Sequence, residues 1–159
     1  MGEIMMARME CRCGEYLSNT AVPNDIELRC YMNDEWIGIL NLKVIESWLI
    51  PSPKYDVWKC SKCGRLYVFE SGNNLAVKVY KIIDTFKINK YDLNSKAKDD
   101  NRLRVYTDRE WDKILYDDII EMDKFPDTKY DVIKSFDCQQ IYVFEKETDN
   151  VLIVYKLEE

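Results

Sequence analysis

The chain has 159 residues, 47 % hydrophobic and 33 % charged, with a net charge of −6 and no histidine. That balance describes a folded chain, and its acidity works against nucleic acid or an anionic membrane surface as a ligand, since both repel it. The missing histidine removes the commonest general base and any Ser-His or Cys-His nucleophile, and five glycines leave little material for a phosphate loop.

Residues Met1–Glu10 have neither a basic n-region nor an apolar h-region, so no secretory signal is expected. No stretch of about 18 apolar residues is present, so no membrane span is expected either. Six cysteines in that context favour a reducing, cytoplasmic setting and metal thiolates over disulfides.

The first motif is Cys11-Arg12-Cys13-Gly14, answered far downstream by Cys60-Ser61-Lys62-Cys63-Gly64. Two short cysteine pairs can supply the four soft thiolates that zinc takes in a tetrahedron. The glycine after each pair lets the backbone turn tightly under the sulfurs. The expectation is one structural Zn2+ per chain on Cys11, Cys13, Cys60 and Cys63. Four thiolates close the coordination sphere, which argues against hydrolytic chemistry.

Beyond the first pair, the chain says the same thing twice. Slid by 75 residues, Leu28–Asp84 lies on Leu103–Glu159 without a gap, with 23 of 57 positions identical, about 40 %. The shared strings include Leu-Arg-x-Tyr at 28 and 103, Glu-Trp-x-x-Ile-Leu at 35 and 110, Lys-Tyr-Asp-Val at 54 and 129, and Tyr-Val-Phe-Glu at 67 and 142. This predicts two copies of one unit, residues 1–84 and 85–159, with 85–101 a linker or a worn N-terminal segment. The copies differ at the metal: Cys11, Cys13 and Cys60 answer to Phe86, Ile88 and Ser135, and only Cys63 persists, as Cys138.

Each unit opens on a strand. Ile26, Leu28, Cys30 and Met32 alternate with Glu27, Arg29 and Tyr31, the period of a half-buried strand. Cys30 answers to Val105 and reads as a small core residue. A helix follows. Thr107 and Glu110 fit a capping box, with Asn33 the corresponding cap in the first copy. Trp111, Ile114, Leu115 and Ile119, like Trp36, Ile39, Leu40 and Val44, recur on one helical face. Pro51, Pro53 and Pro126 mark the loops beyond. Three strands complete the unit, near 55–59, 66–70 and 75–82, with Ser71–Asn74 as a hairpin turn, and their counterparts lie near 130–134, 141–145 and 151–157. The fold class expected is α+β: a tandem duplication of a β-α-β-β-β unit, each an antiparallel sheet with one packed helix, the first carrying a zinc-ribbon-like four-cysteine site.

Two surfaces stand out as candidates for binding. Asp108, Glu110, Asp112, Asp117, Asp118, Glu121 and Asp123 form an acidic ridge suited to a basic partner, although such carboxylates are more often a solvated helix face. In the first copy the matching positions are apolar: Ile37, Leu42, Trp48 and Leu49 stand where the second has Asp112, Asp117, Asp123 and Lys124. These are expected to bury against the second unit or to form a patch for a partner.

The pattern Cys11-x-Cys-Gly, Pro23-Asn-Asp, Glu35-Trp36, Tyr55-Asp-Val-Trp58 and Cys60-x-x-Cys-Gly-Arg-x-Tyr-Val-Phe69 resembles small bacterial zinc-ribbon-like proteins, some found in toxin–immunity neighbourhoods. The resemblance implies Cys11, Cys13, Cys60 and Cys63 as metal ligands and carries over no catalytic residue. The function expected is a non-enzymatic, zinc-stabilised cytoplasmic module that binds another protein, in its sharp form an immunity-type inhibitor of a basic toxin. A zinc-ribbon nucleic-acid or transcription adaptor, drawing on Lys59, Lys62 and Arg65, and a thiol/zinc redox switch are the alternatives.

Overall fold

The computed structural model describes residues 8–70, 76–83, 101–135, 139–146 and 150–158. The chain begins with a two-stranded antiparallel ribbon, β1 (Arg8–Glu10) and β2 (Tyr16–Ser18). Each repeat then runs through the same elements. In the first these are β3 (Glu27–Met32), α1 (Asn33–Leu40), β4 (Val44–Glu46), β5 (Tyr55–Lys59), β6 (Leu66–Glu70) and β7 (Ala76–Ile83). In the second they are β8 (Arg102–Thr107), α2 (Asp108–Ile114), β9 (Ile119–Glu121), β10 (Tyr130–Lys134), β11 (Gln140–Glu145) and β12 (Val151–Leu157).

The expected α+β fold, a tandem β-α-β-β-β unit with one helix packed on each antiparallel sheet, is corrected by the sheet. Eight strands, four from each repeat, close into one antiparallel barrel in the order β10-β11-β12-β7-β6-β5-β3-β8. The described residues are mostly β, with two short α-helices, α1 and α2, outside the barrel. A four-stranded meander left alone has two bare edges, which are unpaired templates for another strand. Here each repeat caps the other's edges: β3 pairs with β8, and β7 pairs with β12. Closure is helped by a register shift after Val68 that recurs after its counterpart Val143.

The register also reveals the symmetry. Cys30 lies opposite Val105, Lys81 opposite Lys156, and Ile45 opposite Ile120 in the separate β4–β9 ribbon. Each pair joins residues 75 apart, so all three strand pairings between the repeats are centred on equivalent positions. A pseudo-two-fold axis therefore runs through the β4–β9 ribbon, crosses the barrel wall at β3/β8 and leaves through β7/β12.

Between that ribbon and the barrel lies a buried aromatic cluster. Tyr31, Trp36, Tyr106 and Trp111 form a ring with centroids 5.4–5.8 Å apart, joined by Phe125. Tyr31 donates to the Pro51 carbonyl and Tyr106 to the Pro126 carbonyl, both at 2.7 Å. These tyrosines point outward from the barrel strands, and the helices bring the tryptophans down on them.

Three local expectations change. The helices stop at Leu40 and Ile114, and Lys43 turns the chain at φ 61 into β4, so Val44 and Ile119 lie on strands instead of closing a helical face. Alternation then sends Ile45 and Ile120 inward and leaves Val44 and Ile119 exposed. Asn33 is the first helical residue, and Glu35 caps the helix by accepting from the Met32 amide at 3.0 Å. Thr107 and Glu110 do form the reciprocal box, at 3.1 and 2.9 Å. Finally, Ile37, Leu42, Trp48 and Leu49 do not bury against the second repeat; all are exposed, Trp48 by 74 %. The hairpin 71–74, Phe86, Ile88, Cys138 and the segment 85–100 lie outside the described residues.

Candidate metal centre

Two turns build the cysteine site. Cys11 and Cys13 lie between β1 and β2, where the Cys11 amide donates to the Glu15 carbonyl at 2.7 Å and Gly14 adopts φ +96. Cys60 and Cys63 lie in the β5–β6 turn, where the Cys60 amide donates to the Arg65 carbonyl at 2.9 Å and Gly64 adopts φ +80. Both glycines occupy the left-handed region that a side chain resists, which is why each pair is followed by one. Gly64 also lies beside the tip of the exposed Ile82 side chain, which would have to move aside for a Cβ.

The four sulfurs lie within 4.8 Å of one another. Cys11 Sγ is 3.4 Å from Cys63 Sγ, and Cys13 Sγ is 3.6 Å from Cys60 Sγ. Those separations are far beyond a disulfide bond, and all four are free thiols. They match the edge of a tetrahedron of sulfurs around a cation at about 2.3 Å, which is about 3.8 Å. Backbone amides face the sulfurs as well: Cys13 N–H toward Cys11 Sγ and Cys63 N–H toward Cys60 Sγ, each at 3.5 Å.

An outer layer holds this set. The Tyr67 hydroxyl donates to Cys11 Sγ at 3.2 Å and accepts the Arg12 amide at 2.9 Å. Arg65 reaches Cys63 Sγ at 3.4 Å and is held by Glu158 at 2.8 Å, from the far end of the chain. Arg12 approaches the same carboxylate at 3.4 Å. Outer-layer partners of this kind fix ligand geometry and stabilise thiolate charge. Below them Leu17, Trp58, Phe69 and Val79 form an apolar floor.

Electrostatics point the same way. Burial alone would raise the Cys11 thiol, but the Cys13 amide and the Tyr67 hydroxyl bring it down to about 6. For Cys13 the Glu15 amide pulls downward, yet burial and the three neighbouring sulfurs push it up to about 12. Four thiolates cannot share so small a space on their own. A cation at the centre would allow all four to ionise, and the set could hold one.

Cys30 is elsewhere: it faces the barrel interior, where burial pushes its thiol up to about 12. No other grouping of metal-ligating side chains is found among the described residues. Tyr67, Arg65, Arg12 and Glu158 were not expected as supports of the site. The signal available was the basic and aromatic flank of the second knuckle, Cys63-Gly-Arg-Leu-Tyr67.

The acidic ridge separates into different roles. Asp108 is 4 % exposed, with its carboxylate bound to Arg29 at 3.1 Å and the Asn24 amide at 3.0 Å. Glu110 serves the helix cap, and Glu121 pairs with Lys124. Asp112, Asp117, Asp118 and Asp123 are exposed.

A protein family described as a domain of unknown function (DUF8617) matches the chain twice, over residues 7–90 and 86–159. The chain belongs to this family. Its two matches follow the internal repeat, and this is the family found, in place of the zinc-ribbon-like proteins the motifs resemble. No curated protein and no solved structure matches. In the described residues no helix is long and apolar enough to cross a membrane.

Proposed function

We propose that the protein is a non-enzymatic, zinc-stabilised module that binds another protein through the outer face of its β4–β9 side. The carrying observation is Trp48, 74 % exposed at the end of a segment in which Ile37, Leu40, Leu42, Val44 and Leu49 are exposed too. Folding alone does not call for six exposed large apolar residues within thirteen positions, and a run of this kind marks an interaction surface. At the equivalent positions the second repeat carries Asp112, Asp117 and Asp123, exposed acids on the other side of the pseudo-axis. An apolar patch bordered by acids suits a basic protein with an apolar anchor. An immunity-type inhibitor of a basic toxin is the sharp form of this reading, at work in a reducing cytoplasm where free thiols persist.

Zinc is the cation proposed for the four sulfurs, because an all-thiolate tetrahedron suits it and a closed site suits a structural role. Of the basic residues behind the nucleic-acid reading, Arg65 is committed to Glu158 and to Cys63 Sγ, which leaves Lys59 and Lys62 to carry it.

The test is affinity purification of the full chain from its native host, alongside Trp48→Ala and an Asp117→Lys/Asp118→Lys double variant. A basic protein held one-to-one by the wild type and lost by both variants, with unchanged melting temperatures, is the expected result. A partner indifferent to both changes, or none, sinks the proposal.

A further inference from the structure

In most small proteins the deepest core lies inside the sheet, but here much of it lies outside. Tyr31, Tyr106, Tyr67, Phe69, Phe144 and Val154 all point outward from barrel strands, and all are buried under outer layers. The inward set is less well covered. Val57, Leu66, Tyr80 and Tyr155 are buried, while Leu28, Cys30, Val68, Ile141, Val143 and Ile153 are only partly so. The inward side chains do not fill the barrel. They surround a cavity of about 890 Å³ lined from all eight strands.

A well-packed interior has few voids larger than a water molecule, so this space is not ordinary core looseness. It falls within the range of small-molecule sites, about 300–1,000 Å³. An eight-stranded barrel is the size at which the interior is either filled by side chains or holds one small ligand. Short residues decide the matter in this chain: Cys30, Val57, Val68, Val105, Val132 and Val143 all occupy lining positions.

The lining also has a charge signature. Lys59, Lys78, Lys129 and Lys134 are set against Glu70 and Glu110, an excess of two positive charges in a chain whose net charge is −6. Glu110 is already engaged by the Thr107 amide. Lys59 and Lys134 are repeat equivalents, the last residues of β5 and β10, and both are half-buried. The pseudo-axis turns one repeat end for end, so they guard opposite ends of the barrel. Neither has an ion-pair partner among the described residues. Their stems lie along the apolar wall and carry a positive charge at the tip, so an anion at the end of an apolar ligand would meet one of them at either mouth.

We propose that the barrel interior binds an amphipathic anion: an elongated, acyl-chain-like apolar body with a carboxylate head placed against Lys59 or Lys134. The valines, leucines and isoleucines of the wall take the body, and the lysines select for the charged head.

The test uses the full chain and cis-parinaric acid, a long-chain carboxylate that fluoresces in apolar surroundings, followed by displacement with oleate and with oleyl alcohol. The wild type is expected to bind one probe per chain with a micromolar Kd, and to be displaced at least about tenfold more readily by oleate than by the alcohol. Val68→Trp and Val143→Trp fill the cavity from either half and should each weaken the probe about tenfold or more, with the circular dichroism unchanged. Lys59→Met/Lys134→Met should abolish the preference for oleate while leaving displacement by oleyl alcohol as it was. Trp48→Ala, on the outside, should change nothing. No saturable binding, binding that survives a folded Val68→Trp or Val143→Trp chain, or loss in Trp48→Ala would overturn the cavity. An oleate preference that survives loss of both lysines would overturn the anionic head.

Discussion

Tyr67 donates its hydroxyl proton to Cys11 Sγ at 3.2 Å, and the same oxygen accepts the Arg12 amide at 2.9 Å. One phenol thus ties the β6 wall of the barrel to the first cysteine turn. The second repeat shows what becomes of this bond without the thiols. Its counterpart Tyr142 donates instead to Gln140, the residue equivalent to Arg65. One closing hydrogen bond persists: Ser135, in the place of Cys60, still donates its amide to the residue-140 carbonyl at 2.8 Å. The tyrosine is shared by both repeats, and the arginine occurs only beside the four cysteines.

Tyr67→Phe should therefore weaken metal binding without dispersing the sulfurs. Loss of an outer-layer hydrogen bond of this kind costs about 10- to 100-fold in metal affinity. Competition with a chromogenic chelator at neutral pH gives the ratio directly. Tyr142→Phe is the control, and equal metal affinity in both variants would show that the Tyr67 bond does not support the site.

Cys60 carries a stronger expectation, being wholly buried at the junction of the cysteine cluster and its apolar floor. Cys60→Ser should bring the metal content from one zinc per chain to near zero. Structural zinc contributes about 10–16 kcal/mol of apparent binding free energy, against a whole-domain stability of about 5–15 kcal/mol. The expected fall in melting temperature is therefore about 10 °C or more, at about 2–4 °C per kcal/mol for a chain of this size. Chelation of the wild type should reproduce it. Elemental analysis combined with thermal denaturation decides, and a full-length Cys60→Ser chain that melts with the wild type would remove metal from the account of its stability.

Much of this was legible in the sequence, and the failures have physical causes. The duplication and the thiol set rest on identity and spacing, which need no knowledge of the fold. Strand alternation at Leu28-Arg29-Cys30-Tyr31 was readable too, but alternation says nothing about which edge a strand will meet. Both faces of β3 are apolar in places, with Leu28 toward the cavity and Tyr31 toward the helices, so the barrel could not be told from a sheet covered on one side. Val44 and Ile119 sit at helical spacing from Trp36 and Trp111, and only the early helix ends at Leu40 and Ile114 show them to be strand residues. The cavity is hidden for a related reason: Val68 and Val143 look like core residues whether or not anything fills the space before them.

The aromatic cluster gives a prediction that depends on the pseudo-axis. Tyr31 and Tyr106 each donate to a proline carbonyl at 2.7 Å from almost the same surroundings. Tyr31→Phe and Tyr106→Phe should each cost about 1 kcal/mol, the usual worth of one buried hydrogen bond. In urea denaturation the two midpoints should shift together. A cost in one repeat and none in the other would mean that the symmetry of the backbone does not extend to its energetics.

Asp108 tests whether the acidic ridge is one surface or two. Its carboxylate bridges Arg29 and the Asn24 amide, joining the loop before β3 to the start of α2 across the repeats, and Asn24 is itself buried and folds its side chain back onto the Ile26 and Glu27 amides. Asp112, one turn further along the helix, is exposed. Asp108→Ala strands Arg29, which is left with Glu27 at 3.8 Å, and should cost about 3 kcal/mol, in the range for breaking a buried pair from one side. Asp112→Ala should stay within about 0.5 kcal/mol, as surface changes do. Conversely, Asp112→Ala can alter binding to a basic partner without altering stability, whereas any binding defect in Asp108→Ala should be accompanied by loss of stability. Denaturant titration of the two variants side by side separates them, and equal stabilities would return Asp108 to the ridge.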